Sequence, residues 1–131
     1  MKKSKLPLSP HLQIYKPQLT SVLSISHRFA GIFLLILFPI SLAWILCLSI
    51  GENAYNLFVD IVTTKIMKIY FVLVILSLVY HLLNGLRHLF WDLGYGLNIR
   101  SSTIFGSIIV VITFFATLIS ILEIFNETNF F

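Results

Sequence analysis

The sequence predicts an all-α protein: a transmembrane bundle of three helices with an irregular N-terminal cytoplasmic arm. Of its 131 residues 58% are hydrophobic and 11% charged, whereas soluble domains have about 45–50% and about 25%. The mean hydropathy is +0.97. Three apolar stretches reach the roughly 20 residues that a helix needs to cross a bilayer core. We therefore expect one membrane-anchor domain over residues 1–131, with spans near 22–50, 66–90 and 102–124.

The N-terminal arm, MKKSKLPLSPHLQIYKPQ, precedes the first span. Its three prolines interrupt any helix, because proline lacks a backbone N–H and disfavours helical geometry in the preceding residue. The arm has a basic start but no short apolar segment with a cleavage site, so it does not read as a signal peptide. We expect it to be irregular and to lie at the cytoplasmic surface.

The first span is expected to begin near Thr20 or Ser21, either of which is a good helix cap. Residues 29–50 contain no charged side chain. Pro39 predicts a kink inside this run, because it removes a helical hydrogen bond and its ring collides with the preceding turn. Cys47 is the only cysteine, so the chain builds neither a disulfide framework nor a cysteine metal cluster.

The second span holds the apolar run IYFVLVILSLVYHLL, and an interfacial turn rich in aromatic residues and glycine follows it. Aromatic rings favour the headgroup level, and the glycines let the chain reverse. The third span, IFGSIIVVITFFATLISIL, has no ionisable side chain and is predicted to pack and anchor. With short loops between the spans, any chemistry is expected within the membrane or on partner subunits.

Basic residues predict the orientation, because basic loops remain on the cytoplasmic side during insertion. Of the nine Lys and Arg residues, only Lys65 and Lys68 fall on the opposite face. The N-terminus is therefore expected in the cytoplasm or the mitochondrial matrix, and the C-terminus outside. The net charge of +4 follows from this topology. We expect no nucleic-acid partner, because the basic residues form no dense patch.

The second span ends in YHLLNGLRHLFWD, where polar groups interrupt apolar residues. Helical spacing places His81, Gly85 and His88 on one stripe with Asn84 on its flank. A glycine one turn from a histidine leaves room for a flat macrocycle, so His81 is a candidate haem ligand. The alternative is a buried histidine bonded to a neighbouring helix, with Gly85 serving close packing.

One helix cannot supply both axial ligands of a haem iron. His81 and His88 lie on the same face, about 10 Å apart along the axis, whereas axial ligands approach iron from opposite sides. His27 is expected nearer the cytoplasmic surface, so a second subunit is expected to supply the other histidine. Arg87 and His88 are expected to reach lipid headgroups or haem propionates, or only to stabilise the helix end.

A second polar group, SVLSISHRFAG, lies at the cytoplasmic entrance of the first span. Ser24 and Arg28 share a helical face with His27 beside them. Together they offer a hydroxyl, a fixed cation and an imidazole at the edge of the apolar layer. Quinone carbonyls accept hydrogen bonds and gain negative charge on reduction, so this group suits a quinone site. The alternatives are a helix-capping serine and a topology-setting arginine.

The segments SPHLQIYKPQLTSVLSISHRFAG and HLLNGLRHLFWDLGYG closely resemble the cytochrome b membrane-anchor subunits of succinate dehydrogenase, respiratory complex II. The resemblance covers essentially the whole chain in order and spacing, although the third span matches only in character. Ala30 stands where that family usually has Thr or Ser, so a hydroxyl-dependent role is absent there.

The resemblance implies a haem b shared with the smaller membrane-anchor subunit. His81 would be one axial ligand of the iron, and that subunit would supply the second histidine. His27 and Arg28 would lie near a haem propionate. His88 matches the second histidine of the family pattern, which is not the ligand.

The resemblance also implies a ubiquinone site to which Ser24 and Arg28 contribute, with Asp92 near its proton supply. The flavoprotein and iron-sulfur subunits would be the partners that oxidise succinate and deliver electrons, at a bacterial or mitochondrial inner membrane. This chain itself would not act on succinate. The alternatives are the anchor of a fumarate reductase and a cofactor-free membrane assembly subunit.

Overall fold

The computed structural model describes residues 16–126, which form helices and no strand. In chain order the helices are α1 Leu19–Leu35, α2 Leu37–Ile50, α3 Glu52–Val62, α4 Lys65–Asp92 and α5 Ile99–Asn126. Three helical units are long and apolar enough to cross a membrane: α1 with α2, α4, and α5. The predicted all-α architecture with three transmembrane helices is thus confirmed. Most of the predicted N-terminal arm lies outside the described residues.

The first span is interrupted at Ile36, between α1 and α2. Proline at position 39 has no N–H to donate to the carbonyl of Leu35, where α1 ends. The chain responds with a tighter turn, in which the N–H of Ile36 donates to the carbonyl of Phe33 at 3.2 Å. The helix is therefore interrupted one turn before Pro39, and the kink itself stays a prediction.

The helix begins at Leu19, and the prediction that Thr20 or Ser21 caps it is wrong. Gln18 is the N-cap residue, in an extended conformation directly after Pro17. Its carbonyl accepts the first hydrogen bond, from the N–H of Ser21 at 3.0 Å. Thr20 and Ser21 therefore lie within the first turn.

Short connections join the spans at both ends. At one end α3, an amphipathic helix, follows Gly51, and Thr64 caps α4 by accepting a hydrogen bond from the N–H of Met67 at 3.4 Å. At the other end Gly94 and Gly96 have φ values of 84° and 72°, in the left-handed region that glycine adopts without strain. These two glycines reverse the chain between α4 and α5, as the sequence predicts.

Polar side chains lie beside a small apolar core in the interior of the bundle, whereas most large apolar side chains cover its outside. Lipid tails are as apolar as leucine, so helices in a membrane associate through close packing and hydrogen bonds. α4 lies between α1 and α5 and contacts both. The buried polar residues are Ser77, Asn84, Arg87, Ser102, Thr113 and Thr117.

A hydrogen-bonded network joins the three spans through one face of α4, formed by Tyr80, Asn84 and Arg87. The hydroxyl of Tyr80 and Nδ2 of Asn84 both donate to the carbonyl of Leu23 in α1, at 2.8 and 3.4 Å. Nη1 of Arg87 donates to Oδ1 of Asn84 at 3.0 Å. Its Nη2 donates to Oγ and the carbonyl of Ser102 in α5, at 2.9 and 3.2 Å.

Arg87 therefore points into the bundle, and the prediction that it reaches lipid headgroups is wrong, whereas its contact with a haem propionate stays a prediction. Its side chain is only 5% exposed, and Asn84 beside it is fully buried. Five N–H donors in a planar fork can satisfy acceptors on two helices at once, which makes burial of this cation tolerable. The side chain of Arg87 thus connects α4 to α5 through its hydrogen bonds to Ser102.

Candidate functional site

Two histidines from different spans form the centre of the candidate site. The imidazole of His27 in α1 stacks on that of His81 in α4, with ring centroids 4.0 Å apart and ring planes 19° apart. The two side chains therefore lie at one level of the bundle. The prediction that His27 lies nearer the surface than His81 is wrong, because the crossing of α1 and α4 brings the two positions level.

Reciprocal hydrogen bonds hold this pair together. Nδ1 of His81 lies 3.2 Å from the carbonyl oxygen of His27, and Nε2 of His27 lies 3.1 Å from the carbonyl oxygen of His81. A carbonyl only accepts, so each of these ring nitrogens carries the proton. His81 is thereby held as the Nδ1–H tautomer, and within residues 16–126 its Nε2 has no hydrogen-bond partner.

Two glycines make room for the imidazoles, each on the opposite helix from the ring it faces. A Cβ atom at Gly31 in α1 would lie 2.9 Å from Cε1 of His81, and one at Gly85 in α4 would lie 3.7 Å from Nε2 of His27. The sequence draws attention to Gly85 as the glycine beside His81. In the structure Gly85 faces His27, and Gly31 is the residue that makes room for His81.

His88 lies in α4, seven residues after His81. Its ring centroid is 5.4 Å from that of His27 and 4.9 Å from that of Trp91, which it meets edge to face. Asp92 is exposed at the last position of α4. Within the part of the chain that the structure describes, no three His, Cys, Asp or Glu side chains are arranged to hold a metal ion.

A cleft of about 550 Å³ opens at the ends of α1, α4 and α5. Ser24 and Arg28 both line it, so the structure brings together the two residues that the sequence pairs. His27 and Asp92 are not among the lining residues. The lining residues are Gln18, Thr20, Ser21, Ser24, Ile25, Arg28, Trp91, Leu97, Ile99 and Ser102.

Trp91 and Ser102 contribute to the lining of this cleft from α4 and α5, and sequence reasoning missed both. Arg87 holds them from behind: its guanidinium carbon lies 4.1 Å from the centroid of the Trp91 ring, and its Nη2 bonds Ser102. The only signal in the sequence is the spacing of Arg87 and Trp91, which share a helical face as positions i and i+4. Nothing in the sequence connects either residue to Ser102.

Comparisons with known proteins agree with this architecture. Residues 2–120 match the family model described as succinate dehydrogenase/fumarate reductase transmembrane subunit. The succinate dehydrogenase cytochrome b556 subunit of Rickettsia prowazekii (strain Madrid E) is 45% identical over 116 residues, covering 88% of this chain and 90% of that protein. That of Rickettsia felis (strain ATCC VR-1525 / URRWXCal2) is 46% identical over the same length, with the same coverage.

A plant relative is similar along almost the same length. The succinate dehydrogenase cytochrome b560 subunit of Marchantia polymorpha is 40% identical over 122 residues, which covers 89% of each chain. Family match, relatives and three apolar helices agree with the resemblance seen in the two sequence motifs. The chain belongs to the family of succinate dehydrogenase/fumarate reductase transmembrane subunits, as a cytochrome b membrane anchor.

Proposed function

We propose that this chain is a membrane-anchor subunit of succinate:ubiquinone oxidoreductase that binds haem b with a second anchor subunit and forms part of the ubiquinone-reduction site. The observation that carries the proposal is that Ser24 and Arg28 line one cleft. A hydroxyl and a guanidinium line one cavity large enough for a quinone headgroup. The printed names of the relatives, succinate dehydrogenase cytochrome b subunits, support the same proposal.

The His81 imidazole, as it is held in the pair, is suited to bind a haem iron. A haem-ligating imidazole needs one nitrogen free for iron and gains orientation from a hydrogen bond at the other. His81 meets both conditions, because Nδ1 is bonded to the His27 carbonyl and Nε2 is left over. When bound, the haem supplies a one-electron redox centre. His81 would hold it from this chain. Nε2 of His27 is bonded to the carbonyl of His81, so a histidine of the smaller anchor subunit would be the second ligand.

The cleft residues would bind and polarise the quinone. Reduction of ubiquinone to ubiquinol takes two electrons and two protons; the electrons come from succinate through the flavoprotein and iron-sulfur subunits. The hydroxyl of Ser24 donates a hydrogen bond to one quinone carbonyl, and the guanidinium of Arg28 stabilises the negative charge that develops on the ring. Arg28 is exposed and the cleft opens to the outside, so protons enter from water, with exposed Asp92 near their path.

The distribution of basic residues supports an orientation in which this end of the bundle faces the cytoplasm or the matrix. Arg28 lines the cleft and Arg100 lies at the start of α5, whereas Lys65 and Lys68 begin α4 at the other end. Positively charged flanks remain inside during insertion. The flavoprotein and iron-sulfur subunits would therefore dock beside the cleft, at a bacterial or mitochondrial inner membrane.

Substitutions in the cleft should impair quinone reduction without impairing succinate oxidation. Arg28→Ala should lower succinate-to-ubiquinone electron transfer about tenfold or more, because a hydrogen bond to a charged group contributes about 1.5–3 kcal/mol. Ser24→Ala should lower it about two- to tenfold, since a neutral hydrogen bond contributes about 0.5–1.5 kcal/mol. Oxidation of succinate with a soluble dye as the acceptor should stay at the level of the unmodified complex.

Two control variants test whether the loss of activity depends on where the hydroxyl or the charge was removed. Ser26→Ala removes a hydroxyl from the same helix, at a position that lines an apolar groove outside the cleft. Arg100→Ala removes a positive charge from the same end of the bundle without touching the cleft lining. Both should retain quinone reduction. Equal losses in Arg28→Ala and Arg100→Ala would assign the effect to surface charge, and parallel loss of both succinate activities would assign it to failed assembly.

A further inference from the structure

We propose that Gly31 is a positioning residue for the haem ligand, which acts by seating the His81 imidazole against the backbone of α1. This inference rests on the proposed role of His81 as the ligand. The inference goes beyond that role, because it assigns a function to a residue of the first span that would touch neither iron nor quinone. The observations are one hydrogen bond and one steric contact, both made by the same ring.

The two helices carry the same short pattern, a histidine followed four residues later by a glycine: HRFAG in α1 and HLLNG in α4. In an α-helix the carbonyl of residue i accepts from the N–H of residue i+4. Glycine at i+4 leaves that carbonyl uncovered on one side, because no Cβ stands beside it. The imidazole of the facing helix approaches through this gap and donates to the second lone pair of the carbonyl.

The two halves of this reciprocal arrangement are not equally tight. At Gly31 an added Cβ would lie 2.9 Å from Cε1 and 3.4 Å from Nδ1 of His81. A carbon-to-carbon separation of 2.9 Å is well inside the optimum of about 3.5–4.0 Å, so the ring would have to move. At Gly85 the added Cβ would lie 3.7 Å from Nε2 of His27, an ordinary contact.

Displacement of the His81 ring would disturb the hydrogen bond from Nδ1 to the His27 carbonyl, because the crowded edge carries Nδ1. That bond fixes the tautomer and the ring orientation and increases the electron density of the imidazole, which favours ferric iron. Weakening it should loosen the ligand and raise the reduction potential of the haem. Loss of a hydrogen-bond partner of this kind typically lowers metal affinity about 10–100-fold.

The test compares Gly31→Ala with Gly85→Ala in the assembled complex, since both add the same methyl group to the same kind of pattern. Gly31→Ala should lower the haem-to-flavin ratio of the purified complex, or raise the midpoint potential of the haem that remains, with an altered low-spin electron paramagnetic resonance signal. Gly85→Ala places the same methyl group at an ordinary contact with His27, so it should change the ratio, the potential and the signal less than Gly31→Ala does. Equal behaviour of the two variants, in ratio and in potential, would overturn the inference.

The ratio of haem to flavin distinguishes a packing role of Gly31 from a positioning role. If Gly31→Ala lowers membrane-bound flavin and haem together while ratio, potential and signal stay unchanged, Gly31 only packs and the inference is wrong. If Gly31→Ala yields no complex, the double variant Gly31→Ala/His27→Ala decides, because removal of the stacked ring gives His81 space to shift. Recovery of haem in the double variant supports positioning, and continued absence opposes it.

Failure of the underlying proposal gives a different result. A complex that contains no b-type haem before any substitution, or one whose haem survives His81→Ala, would remove the ligand role itself. A haem that depends on His81 but is indifferent to Gly31→Ala would remove the positioning role alone.

Discussion

Replacement of His81 by alanine should abolish or strongly diminish the b-type reduced-minus-oxidised spectrum of the purified complex. The imidazole is the only group of α4 that combines a hydrogen-bonded Nδ1 with a free Nε2 at the level of the stacked pair. Alanine would remove the proposed iron ligand, and the remaining imidazole of this face, that of His88, lies seven positions further along the helix. The ratio of haem, measured by pyridine haemochrome, to flavin in the purified complex checks this prediction.

His88→Ala is the matched control for this experiment. It removes an imidazole from the same helix, seven positions further along, whose ring contacts Trp91 and His27. The resemblance to the family assigns this histidine no iron bond, so the haem should remain. A spectrum that survives His81→Ala and disappears in His88→Ala would exchange the two assignments, and one that survives both would remove this helix from the ligand set.

Replacement of Arg87 by lysine or leucine should destabilise the anchor and disturb the cleft that Ser24 and Arg28 line. The guanidinium joins Asn84 to Ser102 with three hydrogen bonds and stacks on Trp91. Hydrogen bonds between helices in a membrane contribute about 0.6 kcal/mol on average and up to about 2 kcal/mol each. We therefore expect a loss of about 1–3 kcal/mol in the free energy of unfolding, partly offset in Arg87→Leu because a buried charge disappears.

Arg87→Lys is the sharper of the two variants, because it keeps the charge while losing the planar fork that reaches two helices. Arg100→Ala serves as the control, since it removes a positive charge from an exposed position. Thermal release of flavin from membranes measures the stability, and the KM for ubiquinone reports on Trp91 and Ser102. If Arg87→Lys changed neither the temperature of flavin release nor the KM for ubiquinone, Arg87 would not hold Trp91 and Ser102 in place.

Much of the architecture is determined by the sequence alone. Runs of about 20 apolar residues predict the spans because hydrocarbon accepts few other side chains, and the structure has three such helical units. The effect of Pro39 on the first span and the reversal at Gly94 and Gly96 also follow from local rules. Ser24 and Arg28 are one helical turn apart, so their common cleft follows from periodicity once the helix is recognised.

The prediction was wrong wherever two helices had to be compared. Periodicity states which residues share a face of one helix, but it gives neither the axial offset between helices nor the face that each turns inward. The level of His27 against His81, the inward direction of Arg87, and the pairing of Gly31 with His81 all depend on how α1 and α5 cross α4. Those crossings are decided by close packing of small and polar groups from distant parts of the chain, and therefore only the tertiary structure contains them.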